Sequence, residues 1–135
     1  MPFIVVAPGI TDPGSVCDVP IDLTVIYPTL LELCGLDEDP KCDGLSLVPL
    51  LNDPKVKWPR PALMTYGKGN HAVRSDRWRY IRYADGSEEL YDHDADPHEW
   101  TNLAGEADHD SVKAEHRKWI PTEEVEPVPA LKRKH

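Results

Sequence analysis

The chain has 135 residues, 15 of them basic and 24 acidic, which gives a formal net charge of −9. That length fits one ordinary domain, and 40% hydrophobic with 29% charged residues excludes collagen-like, low-complexity and wholly disordered chains. The excess of acidic side chains argues against a protein that binds nucleic acid or an anionic membrane. No apolar run is long enough to span a membrane, and the sequence does not open with a signal-peptide pattern.

The N-terminal part predicts a strand, a helix and a short packing segment. Residues 3–7 are all apolar and predict a buried strand, because no face is left for water. A helix follows, with Asp22 as the N-cap and Gly35 just past its end. Its apolar face is expected to comprise Ile26, Leu30, Leu31 and Leu33. Residues 43–51, broken by Pro49, predict an extended or short helical segment.

The middle of the chain predicts a β-hairpin. Residues 72–83 alternate β-forming side chains, Asp85-Gly86 gives a tight turn, and residues 89–91 form the return strand. One face of the first strand carries Trp78, Tyr80 and Arg82, and the other carries Arg77, Arg79, Ile81 and Tyr83. Acids that can pair with these arginines lie on the return strand: Glu88, Glu89 and Asp92.

A last helix is predicted from about Asp110 to Trp119, where Pro121 ends it. Its inner face comprises Val112, His116, Trp119 and Ile120. Residues 122–135 are charged and proline-rich, and they predict a mobile tail.

Two clusters have competing interpretations. Residues 92–96 alternate carboxylates as a calcium loop does, but Pro97 replaces the required glycine and Leu103 the bidentate glutamate, so a turn with solvated carboxylates is favoured. The bases and aromatics of residues 74–83 resemble a single-strand nucleic-acid platform. Pairing inside the sheet explains them more simply, and no nucleic-acid partner is expected.

The cysteines and histidines suggest no complete active site. Cys17, Cys34 and Cys42 form no C-x-x-C pair, and free thiols are favoured over a disulfide of Cys17 or Cys34 with Cys42. The histidines lack metal-ligand spacing, and no catalytic residue or metal ligand is assigned. His71 lies in a polar loop with Lys68 and Asn70, where the three side chains can converge on an anion; the alternative is an ordinary loop histidine.

The order of the motifs resembles the C-terminal third of the type I sulfatases, of the alkaline phosphatase superfamily. The first motifs are PFIVVAPG (2–9), DLTVIYPTLLELCG (22–35) and DGLSLVPLL (43–51). The small-sheet motifs are AVR (72–74), WRYI (78–81), ELYD (89–92) and DPHEWTNLA (96–104). The segment GNHAVR is most similar to the iduronate-2-sulfatase and choline-sulfatase branch.

The resemblance implies hydrolysis of sulfate esters by a formylglycine with a bound calcium ion. The nucleophile of that family lies in a C/S-x-P/A-x-R motif that this sequence lacks, and its calcium and sulfate ligands lie in earlier segments. We therefore expect a segment of a longer enzyme, without a cofactor of its own and inactive alone. The resemblance implies that His71, and more weakly Lys68 and Asn70, lie at the rim of the substrate pocket in the whole enzyme.

The expected fold class is α/β, or α+β for the segment alone, with a small antiparallel sheet packed on a C-terminal helix. Residues 1–54 would supply the last strand and helix of the large sulfatase domain, residues 55–121 the small sheet with its helix, and residues 122–135 a flexible charged tail. The expected partners are a sulfated small molecule or glycan and the missing N-terminal segment, with no membrane. The alternatives are a non-enzymatic module that binds sulfated glycans through the cationic residues 55–83, and a degenerate fragment.

Overall fold

The computed structural model describes residues 2–126 of the chain, which divides into two compact units, Met1–Pro61 and Ala62–His135. The boundary after residue 54 stays a prediction from the sequence. In the structure, Val56 and Trp58 pack against the apolar core of the first unit.

The first unit contains two short helices. A 3-10 turn at Leu23–Val25 leads into α1 (Ile26–Leu33), and α2 spans Val48–Asn52. Asp22 caps the start as predicted, since its carboxylate accepts the Thr24 N–H at 3.0 Å. The α2 helix tolerates Pro49 because the proline lies in its first turn.

The buried side of α1 differs from the predicted face. Leu30 is 53% exposed, whereas Val25 and Thr29 are buried. The Thr29 hydroxyl donates to the Val25 carbonyl at 2.6 Å and accepts the Leu47 N–H at 2.8 Å. These two hydrogen bonds turn Thr29 toward the core of Val25, Leu47 and Leu50.

Residues 3–7 form no strand in the first unit, contrary to the sequence prediction. Ile4 is 85% exposed and Val6 82% exposed, and only Ala7 of this stretch is buried. A strand needs a neighbour to take its backbone hydrogen bonds, and the described residues of this unit contain no strand.

The second unit is built on a four-stranded antiparallel sheet. Its strands are β1 (Ala62–Thr65), β2 (His71–Arg74), β3 (Trp78–Arg82) and β4 (Glu88–Asp92), paired in the order of the chain. The β3–β4 pair is the predicted hairpin, with Arg82 opposite Glu88.

Two features of this sheet were not predicted. The long strand over residues 72–83 is divided by a turn, because the Ser75 N–H bonds the Trp78 carbonyl at 2.9 Å and reverses the chain. The β1 strand precedes β2 and pairs with it from Ala62 opposite Arg74 to Thr65 opposite His71. The predicted hairpin is therefore the second half of a four-stranded meander.

One face of the sheet is covered by the C-terminal helix, as predicted. After a 3-10 turn at Ala107–His109, α3 spans Asp110–Arg117. The core comprises Val73, Tyr80, Leu90 and Ile120, with Val112 against it. The predicted α+β class is confirmed. No helix within residues 2–126 is long and apolar enough to cross a bilayer.

Candidate functional site

The loop between β1 and β2, together with the first residue of β2, holds the residues that the sequence singled out for anion binding. It is closed by a hydrogen bond of 3.0 Å from the Tyr66 N–H to the Asn70 carbonyl. Gly69 has a φ of 79°, and a Cβ there would lie 2.9 Å from the Ala84 Cβ. Glycine is therefore required at this position both for its backbone angle and for the close approach.

Asn70 fixes the shape of this loop. Its amide nitrogen donates to the Lys68 carbonyl at 3.1 Å, and its amide oxygen accepts the Ala84 N–H at 3.2 Å. Both polar atoms of the side chain are thus bound to backbone groups. Asn70 holds the loop against the turn after β3, and it does not converge with Lys68 and His71 on one point.

His71 is the buried member of the group, with 3% of its surface exposed. Its Nδ1 lies 3.0 Å from the Thr65 Oγ1, and its Nε2 lies 3.2 Å from the Glu124 Oε1. A neutral ring satisfies both contacts when the Thr65 hydroxyl donates to Nδ1, because Nε2 then carries the proton that faces the carboxylate.

The Glu124 carboxylate lies against donors from three places. It accepts the Gly69 N–H, it faces His71, and it lies 3.9 Å from the Arg82 guanidinium. The hydrogen bond from His71 is the main cause that lowers the pKa of Glu124, and burial opposes this effect. Lys68 forms its own ion pair with Glu126.

Sequence reasoning missed Arg82, the Gly69 N–H and Glu124 at this site. Arg82 lies opposite His71 in the β2–β3 register, so a correct prediction of the β2–β3 turn would have brought it there. Glu124 belongs to the stretch predicted as a mobile tail, yet its carboxylate contacts the loop. The rest of that prediction, residues 127–135, lies outside the described residues.

The arginines of the sheet pair with acids, as predicted, although with partly different partners. Arg77 donates to both oxygens of Asp92, at 2.8 and 2.6 Å, which lowers the pKa of this buried carboxyl. Arg79 instead bonds Glu99, at 3.0 and 2.9 Å. Five cations between residues 55 and 83 face carboxylates: Arg60, Lys68, Arg77, Arg79 and Arg82.

The carboxylates of residues 92–96 serve the fold. Asp92 is 6% exposed and bound by Arg77, so the prediction of a solvated carboxylate was wrong there. Asp96 accepts the Thr101 N–H at 2.8 Å, and Asp94 is exposed. Within residues 2–126, no three side chains of His, Cys, Asp or Glu are grouped to hold a metal ion.

The cysteines are free thiols, as predicted: Cys17 and Cys34 are exposed and Cys42 is partly buried. None stands in the C/S-x-P/A-x-R context of a formylglycine precursor. The described residues of this chain therefore fit neither the formylglycine nor the calcium ion that the sulfatase resemblance implies.

Comparison with known proteins places the chain in a family. Residues 1–125 match the family described as N-sulphoglucosamine sulphohydrolase, C-terminal. A sulfatase of Formosa agariphila is 46% identical over 91 residues, which are 67% of this chain and 18% of that protein. The choline-sulfatase of Rhizobium meliloti is 38% identical over 112 residues, 77% of this chain and 21% of that enzyme.

Two further matches support the family and the fold. A Delta 4,5-hexuronate-2-O-sulfatase of Bacteroides thetaiotaomicron is 32% identical over 128 residues, 87% of this chain and 27% of that enzyme. The structure of BT4656 with its substrate D-glucosamine-2-N,6-O-disulfate superimposes with a TM-score of 0.58 at 24% identity, over 67% of this chain and 21% of that one, which shows the shared fold.

These matches confirm the sulfatase resemblance, and the superposition on BT4656 shows the shared fold. The chain spans 18 to 27% of the length of these curated relatives. It belongs to the N-sulphoglucosamine sulphohydrolase C-terminal family and is a sulfatase C-terminal domain.

Proposed function

We propose that this domain completes the core and shapes the substrate pocket of a sulfuric ester hydrolase, and that it has no sulfatase activity alone. The observation that carries the proposal is the apolar surface of the first unit. Its exposed side chains include Phe3, Ile4, Val6, Val16, Leu23 and Leu36. Phe3, Ile4 and Val16 of this group line one cleft. Apolar surface clustered in this way marks a site that another part of a protein covers.

A cleft in the same unit supports this proposal. Its volume is about 500 Å³, and its mostly apolar lining includes Phe3, Val5, Val16, Leu47 and Leu50. We assign its occupant as the region that the relatives have outside the matched part. That region would also carry the formylglycine and the calcium ion, for which residues 2–126 of this chain offer no fitting site.

The proposed substrate is a sulfated small molecule or glycan. The names of two relatives, a choline-sulfatase and a hexuronate-2-O-sulfatase, and the sulfated glucosamine bound to BT4656 support this class. Within this chain we propose His71 and Lys68 as side chains on the substrate side of the pocket. Asn70 contributes by fixing the loop that carries both of them.

The competing proposal, a module that binds sulfated glycans without catalysis, is weakened by ion pairs in the second unit. Arginines of the sheet there face carboxylates, for example Arg77 faces Asp92 and Arg79 faces Glu99. A paired guanidinium has to lose its carboxylate before it can bind a sulfate, which weakens any such contact.

A graft tests the proposed function. The matched region of the Formosa agariphila sulfatase is replaced by the 91 residues of this chain that align with it. Turnover of 4-nitrocatechol sulfate is then compared with that of the unmodified sulfatase. We expect measurable turnover by the graft, none by the same sulfatase cut before this region, and none by the isolated 135-residue chain. Turnover by the isolated chain, or a soluble, folded graft without activity, would refute the proposal.

A further inference from the structure

The loop after β1 already binds an oxyanion, and that oxyanion is the Glu124 carboxylate. The Gly69 N–H donates to it, the His71 Nε2 lies 3.2 Å from Oε1, and Arg82 faces the same oxygen at 3.9 Å. A backbone N–H, an imidazole N–H and a guanidinium are the donors that bind carboxylate and sulfate oxygens elsewhere in proteins.

The donors are held in place by groups other than Glu124. Thr65 orients the buried ring of His71, at 3.0 Å from Nδ1. The Asn70 side chain bonds Lys68 within the loop and Ala84 in the turn after β3, and the pairing of β2 with β3 sets Arg82 beside His71. The site is therefore built into the sheet and its loop, and it keeps its geometry when the carboxylate leaves.

Glu124, in contrast, is held at the loop by the contacts of its carboxylate with Gly69 and His71. Residues 121–126 belong to no helix or strand, and Val125 is 89% exposed. Within residues 2–126, this stretch is attached by the carboxylate of Glu124 and by the ion pair of Glu126 with Lys68. A segment attached in this way can be exchanged for a free anion at a small cost in free energy.

We propose that Gly69, His71 and Arg82 form an oxyanion subsite that Glu124 fills in the isolated chain, and that a carboxylate or sulfate group of a bound ligand replaces Glu124 there. The identity of the ligand as a sulfated compound rests on the proposed function, whereas the subsite itself rests on the geometry. Binding of an anionic ligand would then release residues 121–126 from the loop.

The subsite is tested on the full 135-residue chain by titration with sodium sulfate and with sodium acetate, against sodium chloride of equal ionic strength. The amide resonance of Gly69 reports binding. The variants are Glu124→Ala, which empties the subsite, and Glu123→Ala, which removes an exposed charge next to it. A third variant adds Arg82→Ala to Glu124→Ala.

We expect a saturable shift of the Gly69 amide in Glu124→Ala with sulfate or acetate. The apparent Kd should be about tenfold below that of the unmodified chain, because a tethered carboxylate competes at a high effective concentration. Glu123→Ala should behave like the unmodified chain, and adding Arg82→Ala should reverse the gain. The anion with the lower apparent Kd, sulfate or acetate, is the preferred oxyanion.

Equal responses of the unmodified chain and Glu124→Ala, or the same gain in Glu123→Ala, would overturn the subsite. If Glu124→Ala fails to fold, Glu124→Gln is judged by the same criteria. The graft described above gives a separate result for the proposed function. If the graft turns over substrate but the chain binds no anion, only the subsite is rejected. If the chain binds an anion but the graft is inactive, only the proposed function is rejected.

Discussion

Within residues 2–126, the first unit leaves more of its large apolar side chains exposed than the second, which exposes chiefly Tyr66, Trp100 and Val125. In the second unit Val73, Tyr80 and Leu90 are 0% exposed. The first unit has a smaller core of Val25, Leu47 and Leu50, and it leaves side chains such as Ile4 and Val6 more than four-fifths exposed. One unit completes its core with its own residues, and the other presents surface that another part of a protein normally covers.

The difference has a physical origin in how each unit pairs its backbone. An antiparallel meander takes all its strands from consecutive segments, so the sheet of the second unit is complete within 62–92. The apolar stretch at residues 3–7 of the first unit needs neighbouring strands that its described residues do not supply. Whether a unit can pair its own strands thus depends on the order of its segments along the chain more than on its composition.

The largest expected effect is in the core of the second unit. Leu90→Ala removes a fully buried side chain beside Val73 and Tyr80, and it should lower the free energy of unfolding by about 3 kcal/mol. Hydrogen exchange of the Val73 and Tyr80 amides measures this loss in the second unit alone. Ile4→Ala in the first unit is the control, and it should change stability by less than about 0.5 kcal/mol.

If Ile4→Ala costs as much as Leu90→Ala, the contrast between the two units is wrong. Ile4 would then be packed in solution, and the first unit would already have a covered surface.

A smaller effect is expected at the loop that carries His71. Gly69→Ala places a Cβ in a left-handed backbone conformation and against Ala84, at a cost of about 2 kcal/mol. Gly86→Ala has a similar φ of 86° but no neighbour within 4 Å, and it should cost about 1 kcal/mol. Urea unfolding of both variants separates the close approach from the backbone angle, and equal losses would show that Ala84 moves away freely.

The smallest effect concerns the ion pair that joins the sheet to α3. Arg117 donates to both oxygens of Glu88 at 2.6 Å, and the Tyr80 hydroxyl donates to the same carboxylate. The hydrogen bonds from Arg117 are the main cause that lowers the pKa of Glu88. Glu88→Gln should cost about 1 kcal/mol at pH 7, a modest value because Arg117 is 46% exposed.

The pH dependence of this ion pair has a definite sign. A lowered carboxyl pKa stabilises the fold above the unfolded value of about 4.3, and the stabilisation is lost as the pH falls through the folded value. The difference between the unmodified chain and Glu88→Gln should therefore shrink below about pH 4. Glu123→Gln is the control and should show no such trend; a difference independent of pH would contradict the assignment.

Much of the candidate site could be foreseen from the sequence, because it lies in one short segment. The polar loop with two glycines before a β-forming stretch indicated that Lys68, Asn70 and His71 lie together. What remained hidden depends on contacts distant in the chain. The Glu124 carboxylate lies 53 positions from His71, and no local pattern of residues predicts such a pairing.

The sequence by itself determined the family, the caps and end of the first helix, the β3–β4 hairpin and the C-terminal helix, since each is encoded by neighbouring residues. The charge excess of −9 argued against a nucleic-acid or anionic-membrane binder. Only the tertiary structure decided which acids the arginines of the sheet face, that Thr29 turns inward and that Ile4 and Val6 stay exposed. These outcomes depend on which distant groups become neighbours, and hydrogen bonding and burial are settled only when the strands and helices have assembled.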